Sequence, residues 1–211
     1  MSKKIFITGS TGFIGQKLSH TLAEQGHKVI ALVRSQAKAK ELSHPNIETI
    51  EGDLFSIDVL EKGMEDCDEV YHLAAFASVW AKDDTFRRVN IDGTLNVINA
   101  AKKQGVKKTL VTSTAGVIGP AINGPVNEST ERQVDFFTEY ESSKFESEEQ
   151  IRSFAAQGQH IVIVNPTRVY GPGPLNVSNS VTKLVKQYIE GKWKFMPGDG
   201  MSTGTVSYNH Q

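Results

Sequence analysis

Tyr140 and Lys144 stand four positions apart in the run Tyr-Glu-Ser-Ser-Lys. On a helix that spacing puts both side chains on one face, one turn apart. A phenol with a pKa of about 10 is a poor base at neutral pH, and a neighbouring ammonium favours its ionised form. The pair therefore suits proton transfer to or from the oxygen of a carbonyl or an alcohol. A Tyr-x-x-x-Lys spacing by itself carries little weight. Here Ser113 and Thr114 precede it at the end of the apolar run Lys108 to Thr112. A hydroxyl from either one would hydrogen-bond a substrate oxygen, and both remain candidates.

Such chemistry needs a hydride carrier, and the N-terminus offers a place for one. Lys4 to Thr8 reads as a strand, and Phe13 to Ala23 has helical periodicity. Between them lies Gly9-Ser10-Thr11-Gly12-Phe13-Ile14-Gly15, with glycines at G-x-x-G-x-x-G spacing. Gly9 permits a tight turn, Gly12 admits phosphates close to the backbone, and Gly15 lets the helix press on the strand. Amides at the helix N-terminus would meet a diphosphate there.

The rest of the chain alternates in the same way. Strands are expected at Lys28 to Val33, Ile47 to Glu51, Asp68 to Ala75, Lys108 to Thr112 and His160 to Asn165. Helices are expected at Ser56 to Met64, Thr85 to Lys103, Thr138 to Gln157 and Ser178 to Gly191. Gly119 to Glu131 reads as a surface loop. Asn165 to Pro174 is too dense in Pro and Gly for regular structure, and Gly198 to Gln211 has no periodicity. This pattern predicts an α/β fold, a Rossmann-type doubly wound parallel sheet with helices on both faces.

Ligands in such folds bind beyond the carboxyl ends of the strands. Arg34, with Ser35 and Lys38, follows the second strand, where an arginine accommodates a 2′-phosphate and an acidic residue would bind a ribose hydroxyl. That points to NADP, with NAD as the alternative should Arg34 be only a solvated strand end. Asp53 is placed to accept from an adenine amino group or to cap the following helix. Small Ala74 and Ala75 leave room for a cofactor backbone. Asn90, in mid-helix, faces solvent or satisfies a neighbour.

Composition excludes several other classes. A net charge of −1 gives no electrostatic reason to bind nucleic acid or a membrane surface. No apolar run reaches the length of a membrane span, and no signal-peptide pattern opens the chain, so a cytoplasmic protein is expected. The single cysteine, Cys67, excludes an intrachain disulfide. The six histidines lack ligand spacing, so no metal site is expected.

Taken together, these stretches resemble the extended short-chain dehydrogenase/reductase family, also called the NAD-dependent epimerase/dehydratase family. The resemblance rests on Thr8 to Gly15, Gly52-Asp53-Leu54, His72-Leu73-Ala74-Ala75, Asn90 with Gly93-Thr94, Thr112-Ser113-Thr114, Tyr140 to Lys144, and Asn165-Pro166 with Val169-Tyr170-Gly171-Pro172-Gly173. It implies that Gly9, Gly12 and Gly15 frame the diphosphate, Asp53 and Leu54 contact adenine, and Ala74 lines the groove. It also places Asn90 and Pro166 beside the cofactor and Asn165 beside the substrate. Tyr140 and Lys144 match the catalytic pair, and Thr114 is the better match for the catalytic hydroxyl, with Ser113 the alternative.

Arg34 and the Asn-Pro-Thr-Arg-Val-Tyr-Gly-Pro-Gly stretch are most similar to the dihydroflavonol-reductase-like branch, which implies NADP-dependent reduction of an aldehyde or ketone. A nucleotide-sugar epimerase or dehydratase with tightly bound NAD is the alternative, and a non-catalytic NADP-binding regulatory protein a second one. Family members continue well past Gly198-Asp199-Gly200. By that resemblance residues 1–175 form the dinucleotide-binding domain, residues 176–211 begin a substrate-binding region, and most of that region is missing. The helices Thr85 to Lys103 and Thr138 to Gln157 resemble those through which family members form homodimers.

Overall fold

The computed structural model describes residues 2–78, 80–173, 175, 179–193 and, for the backbone only, 206–208. Six strands form one parallel sheet: β1 (Lys4–Thr8), β2 (Lys28–Val33), β3 (Ile47–Glu51), β4 (Glu69–His72), β5 (Lys108–Thr112) and β6 (Ile161–Val164), in the spatial order β3-β2-β1-β4-β5-β6. The order reverses between β1 and β4, which opens a crevice at their carboxyl ends. β2 is Lys-Val-Ile-Ala-Leu-Val, and all five residues after Lys28 are buried. A strand covered on both faces needs such a continuous apolar run.

Alternation along β1 decides which helix goes where. Ile5 and Ile7 point to the face covered by α1 (Phe13–Glu24) and α2 (Gln36–Ala39), where Leu22, Ala23 and Ala39 join them. Phe6 points to the other face, onto Leu60 and Met64 of α3 (Ile57–Met64) and Val97, Ala100 and Ala101 of α4 (Gly93–Lys103). Farther along that face, Ile98 of α4 and Ile151 of α5 (Glu139–Ala156) enclose Val111 of β5.

Three departures from the expected elements bear on the site. The fourth strand stops at His72, because its partner β1 stops at Thr8; Thr8 lies opposite His72 in the register. The helix expected over Thr85 to Lys103 is divided. Residues Arg87–Asp92 form a wide π turn that carries buried Asn90, and regular α4 follows. In the Pro- and Gly-rich stretch, β7 (Arg168–Tyr170) pairs in parallel with β8 (Val206–Tyr208). Neither segment shows an extended pattern alone, since each depends on a partner about forty positions away. The final helix, α6 (Ser180–Ile189), is as expected apart from its ends, and residues 194–200 and the expected start of that helix at Ser178 lie outside the described residues.

Gly63 shows how closely α3 is set on the sheet. A Cβ there would lie 2.4 Å from Cε2 of Phe6, a ring with no exposed surface. Gly63→Ala is expected to destabilise the fold by about 1–3 kcal/mol, because overpacking outweighs the gain in helix propensity. Urea denaturation checks this, and a stabilised variant would show that the ring yields.

Candidate active site

β1 enters its glycine turn at Gly9, with φ +73°, a conformation that glycine adopts freely. A Cβ on Gly9 would stand 2.6 Å from the Ala74 nitrogen, and one on Gly15 2.1 Å from the Gly9 carbonyl oxygen. Both positions are closed to any side chain. α1 then starts at Phe13, with Gly12 as N-cap, no side-chain cap and no acidic residue in its first turn. The first amides of α1 have no intrahelical partner, so the turn is built to receive an anion. Ser10 is buried and donates to the Leu32 carbonyl, Thr11 and Ile14 are half-buried, and the Phe13 ring is buried near Gly173.

Other expected cofactor residues surround the same crevice, with differing freedom. Arg34 is exposed at the end of β2 and makes no hydrogen bond or ion pair among the described residues. Ser35 next to it caps α2 by accepting from the Ala37 amide. Asp53 takes the turn role: its Oδ1 accepts from the Phe55 amide at 2.8 Å and from Ser56 Oγ at 3.0 Å. Those bonds, the Phe55 amide foremost, hold its carboxyl below the usual range. Oδ2 makes no bond to a described residue. The Leu54 side chain is buried beneath Gly93. Ala74 is half-buried and Ala75 exposed. Pro166 accepts from the Ala115 amide through its carbonyl.

Asn90 is fully buried and wholly engaged by protein groups. Its Oδ1 accepts from the Phe76 amide at 2.8 Å, and its Nδ2 donates to the Phe76 carbonyl at 3.2 Å and to Ser143 Oγ at 2.9 Å. Ser143 Oγ in turn donates to the Tyr140 carbonyl. The amide thus ties the segment after β4 to α5, at the turn that bears Tyr140 and Lys144.

A buried imidazole extends this chain back to the glycine turn. His72 Nδ1 lies 2.7 Å from Thr8 Oγ1, and Nε2 lies 2.9 Å from Thr94 Oγ1. Thr94 Oγ1 donates its proton to the Asn90 carbonyl, so it must accept from Nε2–H. Nδ1 is then the acceptor, and Thr8 Oγ1, which also receives the Ala74 amide, is its donor. This arrangement fixes one neutral tautomer. Burial first, and the Lys144 charge second, push the imidazole down to about 3.

Lys144 is 1 % exposed, and its Nζ has no hydrogen-bond partner among the described residues; the same holds for Oγ of buried Ser113. Burial drives the ammonium down to about 8, and Glu148 opposes that. Burial also pushes the Tyr140 phenol up. The expectation that Lys144 would favour an ionised Tyr140 is therefore corrected: desolvation dominates both groups. The Tyr140 hydroxyl is not bonded to any described residue. Thr114 is half-buried and N-caps the turn Ala115–Val117, its Oγ1 accepting from the Gly116 amide at 3.1 Å. Its own hydroxyl proton stays available. Asn165 Nδ2 donates to the Thr114 carbonyl at 3.2 Å and to Glu148 Oε1 at 2.7 Å.

Three residues of this assembly had not been singled out from sequence. Glu148 continues the period of Tyr140 and Lys144, and that spacing could have found it. Ser143 and Arg132 gave no such signal. Arg132 anchors the loop before α5 through Glu141 at 3.1 Å, Val134, Asp135 and Gly116. A cavity of about 620 Å³ opens beside it, lined by Glu148, Phe145, Ile163 and Asn165 but not by Tyr140, Lys144 or the glycine turn. It adjoins the crevice rather than forming it. Among the described residues no helix is long and apolar enough to cross a membrane, and no His, Cys, Asp and Glu group could hold a metal ion.

The sequence model of the NAD dependent epimerase/dehydratase family matches residues 5–205. The chain belongs to this family. Among its relatives is a Synechocystis sp. protein provisionally named dihydroflavonol 4-reductase, 38 % identical over 175 residues, covering 82 % of this chain and 51 % of the relative. A 2-alkyl-3-oxoalkanoate reductase of Stenotrophomonas maltophilia is 29 % identical, covering 97 % of this chain and 61 % of the relative. Of solved structures, the UDP-N-acetylglucosamine 4-epimerase from Methanobrevibacter ruminantium superposes with a TM-score of 0.85 at 29 % identity, covering 98 % of this chain and 69 % of that one. A UDP-glucuronic acid 4-epimerase from Bacillus cereus in complex with NAD gives 0.84 at 28 % identity, covering 97 % and 69 %. This family member thus spans about half to two thirds of the length of its relatives.

The His72 chain makes stability depend on acid. The unfolded imidazole takes a proton near pH 6.5 and the folded one only near pH 3, so the unfolded state binds the extra proton between those values. Stability is expected to be complete above pH 6.5 and to fall as pH drops toward 3, by up to about 1.4 kcal/mol per pH unit from this group. His72→Gln should lower stability at pH 7 and flatten that slope, as measured by urea midpoints from pH 7 to 4.

Proposed function

We propose that this chain is the nucleotide-binding and catalytic part of an NADP-dependent oxidoreductase that reduces an aldehyde or ketone. The observation that carries the reading is the buried Lys144 amine, without a hydrogen-bond partner among the described residues and one helical turn from the Tyr140 phenol. A buried cation without partners is costly. It fits a ligand that brings hydroxyls, as a nicotinamide ribose does. The glycine turn, closed to a Cβ at Gly9 and Gly15 by the chain's own backbone, sets the uncapped N-terminus of α1 where the diphosphate of the same molecule would lie. When bound, a nicotinamide dinucleotide supplies the hydride for the carbonyl carbon.

The chain itself supplies the proton and the geometry. Gly9, Gly12 and the first amides of α1 hold the diphosphate, with Ala74 leaving space beside it. Lys144 holds the ribose. Thr114 donates its free hydroxyl proton to the substrate oxygen, with Ser113 buried behind it. Tyr140, kept protonated at neutral pH by burial, gives its proton to that oxygen. The tyrosinate left behind is stabilised by the Lys144 ammonium. Exposed, unpaired Arg34 is the ligand for a 2′-phosphate, with Ser35 beside it.

A second reading, a nucleotide-sugar epimerase that keeps NAD bound, is favoured by the close superposition on UDP-sugar epimerases. It uses the same Tyr140 and Lys144. Cofactor preference separates the two, since a reductase must exchange its cofactor at each turnover.

Fluorescence titration with NADPH and NADH is expected to show preference for NADPH, and Arg34→Ala should weaken NADPH binding by about tenfold or more while leaving NADH unchanged. Preference for NADH in the wild type would move the epimerase reading to the front. In NADPH oxidation with a panel of carbonyl compounds, Tyr140→Phe should lower turnover by about 10²–10⁴ with cofactor binding retained. Equal turnover by the variant would overturn Tyr140 as the proton donor.

A further inference from the structure

α5 carries a second buried charge that the proton transfer does not use. Glu148 lies one turn beyond Lys144 on the same face and is 5 % exposed. Its Oε1 receives the Asn165 Nδ2 that also serves the Thr114 carbonyl. Its Oε2 stands 3.6 Å from a guanidinium nitrogen of Arg152, whose side chain is 59 % exposed. A carboxylate withdrawn from water must be compensated by hydrogen bonds and opposite charge. One amide and one loosely placed, hydrated guanidinium compensate it in part. The next cation along the same face is the Lys144 ammonium, one turn away and not ion-paired with Glu148, itself buried and without a hydrogen bond among the described residues.

The other elements packed around α5 bring no second carboxylate to act on Lys144 among the described residues. On α5 it is flanked by the neutral Tyr140 phenol and by Glu148. β4 presents neutral His72, the π turn presents the Asn90 amide, and the end of β5 presents Ser113. β6 is wholly aliphatic. Charges on other elements packed against α5 are engaged elsewhere: Arg87 with Glu146 at 3.1 Å and Arg132 with Glu141 at 3.1 Å, while Lys102 bonds Gln157. Among the described residues, Glu148 is the carboxylate that raises the affinity of the amine for its proton, against the burial that lowers it.

We infer that Glu148 is a positioning residue for the site: its charge keeps Lys144 protonated in the cofactor-free protein, and its bridge through Asn165 fixes the Thr114 turn against α5. This rests on the reading of Tyr140 and Lys144 as the catalytic pair. The two parts are separable, because Glu148→Gln removes the charge and keeps an acceptor for Asn165, whereas Asn165→Ala removes the bridge and keeps the charge.

The test follows the Lys144 amine directly, by NMR of ¹³Cε-labelled lysine in cofactor-free protein, with Lys144→Met to assign the signal. Glu148→Gln is expected to move its titration midpoint toward acid by about one pH unit or more. Above that midpoint NADPH affinity should fall about tenfold relative to wild type. Asn165→Ala is expected to leave the midpoint in place and lower turnover. An unchanged midpoint in folded Glu148→Gln protein would overturn the proposal. Should that variant not fold, Glu148→Asp carries the test. Withdrawing the charge by one methylene is expected to move the midpoint toward acid in the folded variant, and an unchanged midpoint would overturn the proposal. Because the NMR measurement needs no cofactor, a Glu148-dependent midpoint in a protein that binds neither NADPH nor NADH would reject the oxidoreductase reading and leave the electrostatic coupling standing.

Discussion

A buried chain of hydrogen bonds through His72 holds the parts of the site in register. It starts at the Ala74 amide, passes through Thr8, His72, Thr94 and Asn90, and ends on Ser143 and the Tyr140 carbonyl. Four separate segments are joined: the end of β1 before the glycine turn, the end of β4, the π turn with the start of α4, and the first turn of α5. In a low-dielectric interior each link is strengthened by its neighbours, and an unmade link is expensive. The wide π turn makes sense in this light, because it carries the Asn90 amide to Phe76 and Ser143 while its carbonyl serves Thr94.

Against this rigid frame the reactive groups are left incomplete. Among the described residues, buried Lys144 Nζ and Ser113 Oγ have no hydrogen-bond partner, and α1 begins without a side-chain cap. Buried polar groups are nearly always satisfied, and the exceptions at Lys144 and Ser113 support the proposed cofactor site. Burial brings the Lys144 ammonium down to about 8 and pushes the Tyr140 phenol up. In the proposed reading, the hydroxyls and anionic diphosphate of a bound dinucleotide would offset the cost of that burial.

The outer side of α5 shows a different balance. Glu148, Asn165 and the Thr114 carbonyl form a compact polar knot between the crevice and the neighbouring cavity. Arg132 fastens the preceding loop to the same helix through Glu141 and to the turn after Thr114 through Gly116. On α6, by contrast, Leu184, Val185, Tyr188 and Ile189 expose an apolar stripe.

Much of this was written in local patterns. The glycine spacing, the continuous apolar strands and the four-residue step from Tyr140 to Lys144 are set by backbone sterics, burial on two faces and helix pitch, which act over a few residues and are legible in order along the chain. They determined the fold class and the family, and they singled out the pair proposed as catalytic. The tertiary structure alone decided the rest, because it depends on contacts between distant segments. It showed Asn90 as a clamp, Leu54 as core, the pairing of β7 with β8, and a neutral His72 in one tautomer. It also reversed the expected electrostatics of Tyr140, since a sequence reveals that a lysine is near but not how much water both groups have lost.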